Sequence, residues 1–212
     1  AGRRQVFLTR SDGHGFELLL HEGHDRFGVE VHAHCLMRNH FHLLLRCPNG
    51  GLSPFMQSVG SMYTRPLNQR LGRDGPIFRS RFRSLVVDSP EYLARAGRYI
   101  HRNPLDLSPP VGLASYRWSS FRCYVGGIEP PPWLTTTALL EPFGDDIVSY
   151  AAFVSDPESG RESDPARLGA TIGTLLAEHG GLDGRGIERV VAAAMLDRCS
   201  AAAGVTIRNL LG

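Results

Sequence analysis

With 212 residues, 42% of them apolar, the chain can build one substantial domain plus an appendage, but no apolar run approaches the roughly eighteen residues needed to span a bilayer. Its four cysteines (Cys35, Cys47, Cys123, Cys199) form no CxxC pair, which argues against a zinc finger, and with no secretory signal pattern they fit reduced thiols in the cytoplasm. The net charge of +2 hides a division: residues 1–127 carry 17 Arg against 9 acidic groups, a balance of +8, while 128–212 carry 6 against 12, a balance of −6, and no Lys occurs anywhere.

In chain order, the sequence opens on Ala1, which leaves room for an upstream segment, and Arg3 to Arg10 reads as a loop or strand end. Asp12 is placed to cap a helix over about 13–25 with Phe16, Leu19 and Leu20 on its inner face. Val29 to Arg46, VEVHAHCLMRNHFHLLLR, is rich in branched and aromatic residues and bounded by Gly28 and Pro48-Asn49-Gly50-Gly51, so it reads as strand, with Met37-Arg38-Asn39 dividing it in two. Within it, His40 and His42 flank one apolar residue. Alternate strand residues share a face, so the two imidazoles project the same way about 7 Å apart and can converge on one ion. His32 and His34 repeat the alternation upstream and read as satisfied polar surface.

Ser53-Pro54 starts a helix that runs to about Leu71 with a kink at Pro66. Ile77 to Val87, IFRSRFRSLVV, alternates so that Arg79, Arg81 and Arg83 share one face of a strand. Three like charges in a row repel unless an anion sits there, and a phosphate backbone is the natural one. Ser89-Pro90-Glu91 starts a further helix and Asn103-Pro104 stops it. On that helix Tyr92, Ala96, Tyr99 and Asn103 fall on one face, and Arg95, Arg98 and Arg102 form a second stripe. Tyr99 and Asn103 are one turn apart and can address the same point. Residues 133–155 read as two short helices, Asp156 to Pro165 as a polar linker, and 167–180 and 187–203 as further helices.

Five separated motifs give these pieces a recognisable order: NHFHLLL at 39–45, YTRPLNQR with Tyr63 and Asn68, GPIFRSRFRS at 75–84, RYIHRNP at 98–104 and YRWSSF at 116–121. Over roughly residues 3–125 the chain resembles the single-tyrosine HUH transposases, in which HUH denotes His-hydrophobic-His, and within them the REP-associated tyrosine transposases. WLTTTALLEPFG at 133–144 is also found in some longer relatives.

The resemblance implies an α+β fold: a ferredoxin-like antiparallel sheet with packed helices over residues 1–127, an extension and linker over 128–165, and a helical segment over 166–212 that is similar to the opening of a helix-turn-helix. It implies that His40, His42 and Asn103 hold a divalent metal, Mg²⁺ or Mn²⁺, and that Tyr99 is the nucleophile, with Tyr63 as its rival. The substrate it implies is single-stranded or hairpin DNA from repeat palindromes, nicked and transferred through a 5′-phosphotyrosine. Arg38, Arg79, Arg81, Arg83, Arg95, Arg98 and Arg102 are the expected DNA contacts, and Trp118 and Phe121 are candidate stacking surfaces. Relatives also carry a first strand near the middle of the sheet, ahead of the residues that match Arg3-Arg4; none is found here, so the expected sheet is short of it. The resemblance points to a cytoplasmic, nucleoid-associated protein. It leaves a homodimer open, since some relatives exchange the tyrosine helix between subunits and others act as monomers. Two competing readings are a catalytically impaired DNA-binding remnant and a hydrolase using His32, His34, His40 and His42.

Overall fold

A computed structural model describes residues 5–78, 82–157 and 190–195. Helix α1 spans Arg10–Phe27 and begins earlier than expected. Its N-cap is Thr9, whose hydroxyl accepts from the Asp12 amide, while Asp12 sits three residues in and reaches back to the Thr9 N–H at 2.8 Å. This reciprocal box satisfies two of the donors that a helix start leaves orphaned. Gly28, at φ 63°, closes the helix in the left-handed region.

Strands β1 (Glu30–Leu36) and β2 (Phe41–Arg46) form an antiparallel hairpin, divided at Met37 to His40 as the sequence predicts. Residues Val6 and Phe7 donate their amides to the Arg38 carbonyl, so the chain start is stitched onto the hairpin turn. Helix α2 (Leu52–Leu71) continues through Pro66 and ends at Gly72. Strand β3 covers only Arg83–Val87, shorter than expected, and leads into helix α3 (Pro90–Arg102), which Ser89 caps and Pro90 starts.

Beyond α3 come three short helices, α4 (Phe121–Tyr124), α5 (Thr137–Leu140) and α6 (Ile147–Ser155), the last two matching the pair expected over 133–155. Strand β4 (Val190–Met195) corrects the helix expected over 187–203. An apolar run of six without a polar face suits a strand flanked on both sides better than a helix on a surface. It lies inside a four-stranded sheet of order β1-β2-β4-β3, antiparallel to both neighbours. The inner position expected to be vacant is thus filled from the far end of the chain. The polar linker and the helices expected over 167–180 and beyond Met195 lie outside the described residues.

The sheet divides the core in two. Phe41, Leu43 and Leu45 of β2 turn to one face, where they meet Phe16 and Leu20 of α1 and Phe55, Val59 and Tyr63 of α2. Ala33 and Cys35 of β1 and Leu44 of β2 turn to the other, against Tyr92, Ala96 and Ile100 of α3 and Leu139 and Tyr150 of the extension. Helices therefore cover both faces of an antiparallel sheet, an α+β arrangement. The outer edge of β1 is covered by residues 116–135: Leu36 donates to the Trp118 carbonyl, Ser120 to that of His34 and Thr135 to that of Val31. An edge that would otherwise template aggregation is closed in this way.

Candidate active site

His42 shares the α3 face of β2 with Leu44, and His40 stands at the entrance of the strand. Their ring centroids lie 4.9 Å apart at an interplanar angle of 88°. From α3, Tyr99 places its ring 5.4 Å from that of His42, edge to face. Three side chains from two separated motifs thus meet at one place. Tyr99 is 37% exposed, whereas His42 is 4% exposed, so the phenol lies at the opening and the imidazole behind it.

The two imidazoles are prepared differently. His40 Nδ1 lies 2.8 Å from Asn39 Oδ1, an oxygen that only accepts, so Nδ1 is the donor in this pair. In His42, Nε2 is buried without a hydrogen-bond partner. Burial is the main reason the His42 pKa falls to about 3; the neighbouring His40 lowers it further, and a hydrogen bond with the Asn103 side chain works in the opposite sense. His42 is therefore neutral at physiological pH, the form in which imidazole binds metals.

Asn103 is buried at the end of α3, and its Nδ2 donates to the Tyr99 carbonyl at 2.9 Å. The carboxamide thus caps the tyrosine's own turn while its side chain also contacts His42. Two imidazoles and one carboxamide suit a divalent ion that completes its sphere with substrate oxygens, and the orphaned Nε2 of His42 fits that use. Among the described residues no group of three or more His, Cys, Asp or Glu is gathered to hold a metal ion by itself.

The rival nucleophile is placed elsewhere. Tyr63 is buried in the α1–α2 layer, its hydroxyl donates to the Val6 carbonyl at 2.9 Å, and burial raises its pKa well above the ordinary phenol value. Nor do the four histidines gather into one site. His32 and His34 lie on β1 and are buried rather than on the surface, because residues 116–135 cover that strand's edge; Nδ1 of His32 is 3.0 Å from the Thr135 carbonyl, and His34 Nε2 is 3.4 Å from Glu17 of α1.

The arginines separate into two groups. Arg38, Arg83 and Arg95 are exposed. Arg83 and His42 both pair with position 194 of β4, which puts them on the same face about 10 Å apart across the sheet. Arg98 and Arg102, expected on a DNA face, turn instead to the end of α6. Arg98 is 5% exposed and donates to the Phe153 carbonyl at 2.9 Å and to that of Asp156; Arg102 donates to the Val154 carbonyl at 2.7 Å. A helix end leaves its last carbonyls unsatisfied, and the two guanidiniums meet that need. Arg79 and Arg81 lie outside the described residues. Trp118 packs over Gly13, and Phe121 is buried beside His101 at 5.4 Å, so Phe121 offers no stacking surface.

The sequence reading did not single out His101. It is fully buried, with Nδ1 2.9 Å from the Tyr150 hydroxyl and Nε2 2.9 Å from Ser120 Oγ. A histidine two residues past an exposed tyrosine, on the apolar side of a helix, was the available signal.

Residues 1–103 match the family model described as "Transposase IS200 like", a match that supports the HUH transposase superfamily for this part of the chain. No curated protein and no solved structure gives a match.

Proposed function

We propose that the protein is a metal-dependent, single-tyrosine transposase that nicks single-stranded or hairpin DNA and transfers the strand through a covalent Tyr99 intermediate. The observation that carries this reading is the meeting of Tyr99 with His40 and His42 in a segment matched by an IS200-like transposase family model. The reading takes the sheet as ferredoxin-like and His40, His42 and Asn103 as the holders of Mg²⁺ or Mn²⁺. When bound, the ion supplies Lewis-acid polarisation of a phosphate oxygen.

The chain's own residues do the rest. The Tyr99 phenol attacks phosphorus and loses its proton, the bond from phosphorus to the 3′ oxygen breaks, and that oxygen leaves as a hydroxyl. The 5′-phosphotyrosine keeps the bond energy, so attack by another 3′-hydroxyl reverses the step without a nucleotide cofactor. Asn103 holds the turn that bears Tyr99, and the neutral ring of His42 presents its buried Nε2 without repelling a cation. Arg38, Arg83 and Arg95 are the exposed groups available to the phosphate backbone.

The test is incubation of the protein with labelled hairpin DNA and Mn²⁺, followed by denaturing electrophoresis. A covalent protein–DNA adduct is expected, abolished by Tyr99→Phe and reduced at least about 100-fold by His42→Ala, as loss of a metal ligand would require. DNA binding without any adduct would establish the impaired-remnant reading instead. Activity that survives Tyr99→Phe would overturn the tyrosine mechanism.

A further inference from the structure

The segment after residue 133 packs against the helix that carries Tyr99 at Gly97, Arg98, His101 and Arg102. At Gly97, α3 comes so close to the extension that an added Cβ would lie 2.7 Å from a Leu139 methyl carbon and 3.1 Å from the Tyr150 hydroxyl. His101, one turn on, is bonded at both ring nitrogens: to Tyr150 of α6 and to Ser120, whose hydroxyl in turn accepts from the His34 amide of β1 at 2.9 Å. Arg98 and Arg102, also one turn apart, hold the carbonyls of Phe153, Val154 and Ser155, with the Arg98 guanidinium 5.7 Å over the Phe153 ring. Positions 97 and 101 and positions 98 and 102 make two adjacent stripes of α3, and positions 99 and 103 make the next.

We propose that residues 137–156 act as a clamp that sets the position of Tyr99 against His40 and His42, with Arg98, His101 and Arg102 as positioning residues. This inference rests on the transposase reading for its catalytic consequence, but the clamp itself is a property of the fold. It extends the working unit past the 1–103 family match and past the 1–127 catalytic domain expected from sequence. It also takes Arg98 and Arg102 away from DNA. The Arg98 guanidinium is buried with few donors left for a phosphate, while that of Arg102 is half-buried and turns one nitrogen to the carbonyls of Val154, Ser155 and Asp156; removing either leaves carbonyls unpaired. The phenol must reach phosphorus in line, and a displacement of about 1 Å can cost on the order of 100-fold in rate.

The experiment uses the full chain with Arg102→Gln, Arg102→Lys and, as a milder second variant, Tyr150→Phe, which removes one hydroxyl. Three quantities are measured: affinity for a labelled hairpin oligonucleotide as a function of salt, the single-turnover rate of adduct formation at saturating oligonucleotide, and hydrogen–deuterium exchange across residues 90–102. The expected result for Arg102→Gln and Tyr150→Phe is a roughly tenfold or greater loss of rate, unchanged affinity and salt slope, and faster exchange in α3. Arg102→Lys, which keeps a charged donor, should recover part of the rate. If Arg102→Gln instead weakens binding and lowers the salt slope by about 1 while the saturated rate holds, Arg102 is a phosphate contact and the clamp is refuted. Unchanged rate and unchanged exchange in both variants refute it equally. Should the wild-type protein form no adduct, the transposase reading fails, and the exchange data alone still decide whether the extension holds α3.

Discussion

Asp12 shows how much one side chain can hold. Its carboxylate accepts the Leu8 and Thr9 amides at 2.9 and 2.8 Å and the Arg70 guanidinium at 2.5 Å, joining the start of α1 to the end of α2. Burial pushes its pKa up, but the Arg70 bond and the amides outweigh that effect and hold it below the usual carboxylate range. A depressed carboxyl stabilises the fold above its unfolded pKa and loses that contribution as pH falls through the folded value. Asp12→Ala should cost about 1–2 kcal/mol at neutral pH, read as a lower denaturation midpoint, and should remove part of the acid-induced loss of stability below about pH 4. The buried histidines act in a different window. Burial lowers the pKa of His101 to about 3, with His34 nearby adding to the effect. Above pH 6.5 both folded and unfolded states are neutral there; between 6.5 and about 3 only the unfolded state takes a proton, so stability drains away as pH falls. The slope is at most roughly 1.4 kcal/mol per pH unit for each such histidine, and His101→Gln should flatten the stability profile in this interval. At this scale, strand alternation placed His40 and His42 on one face and helical periodicity placed Tyr99 one turn from Asn103, but it was the resemblance of five motifs that singled them out as a site. The fate of Arg98 and Arg102 was not legible, because a helical wheel shows which way a side chain leaves its helix and says nothing of what arrives from fifty residues later.

Individual elements were read most reliably where caps and breakers mark them. Ser89-Pro90 and Gly72 bound α3 and α2 as expected, and the two short helices after 133 fell where the pattern put them. Helix α1 began early because its cap is the reciprocal Thr9–Asp12 box, in which the acidic residue sits inside the helix and the hydroxyl outside. The misreading at 190–195 has a different cause: Val, Ala and Met tolerate either conformation, and the pairing partners that decide it lie far away in sequence. Within β2 the alternation has an energetic consequence. Phe41 is fully buried against Phe16, with ring centroids 4.5 Å apart, and it lies between the two histidines. Phe41→Ala should cost about 3–5 kcal/mol by leaving a cavity in the α1–α2 layer, with an even greater loss of adduct formation as His40 and His42 lose their common strand; thermal denaturation and the adduct assay read the two separately. Phe41→Leu should largely preserve both.

Across the whole molecule, an antiparallel sheet with the Tyr99 helix packed across it was expected through the resemblance of five motifs, whereas the second helical layer, formed by α1 and α2 on the other face, was not foreseen. The order of the strands was beyond reach, because β4 enters between β2 and β3 from the opposite end of the chain. Without it, β2, which bears His42, and β3 would each present an unpaired ladder. Replacing Ala192 with Pro, which removes a ladder donor at the partner position of Leu44 and Leu85, should lower stability by several kcal/mol and reduce soluble yield; denaturant unfolding and size-exclusion chromatography measure these effects.

That late-arriving strand also orders events in time. Leu44 and its partner at 192 are separated by about 150 residues, a contact that folding must close against a large loop entropy. During synthesis the histidine hairpin emerges early and waits, one ladder open, until residues 190–195 have followed it out of the ribosome. A nascent polypeptide can thus carry the histidines and the tyrosine while still lacking the inner strand that supports them, so the pocket they form is completed only after residues 190–195 are made.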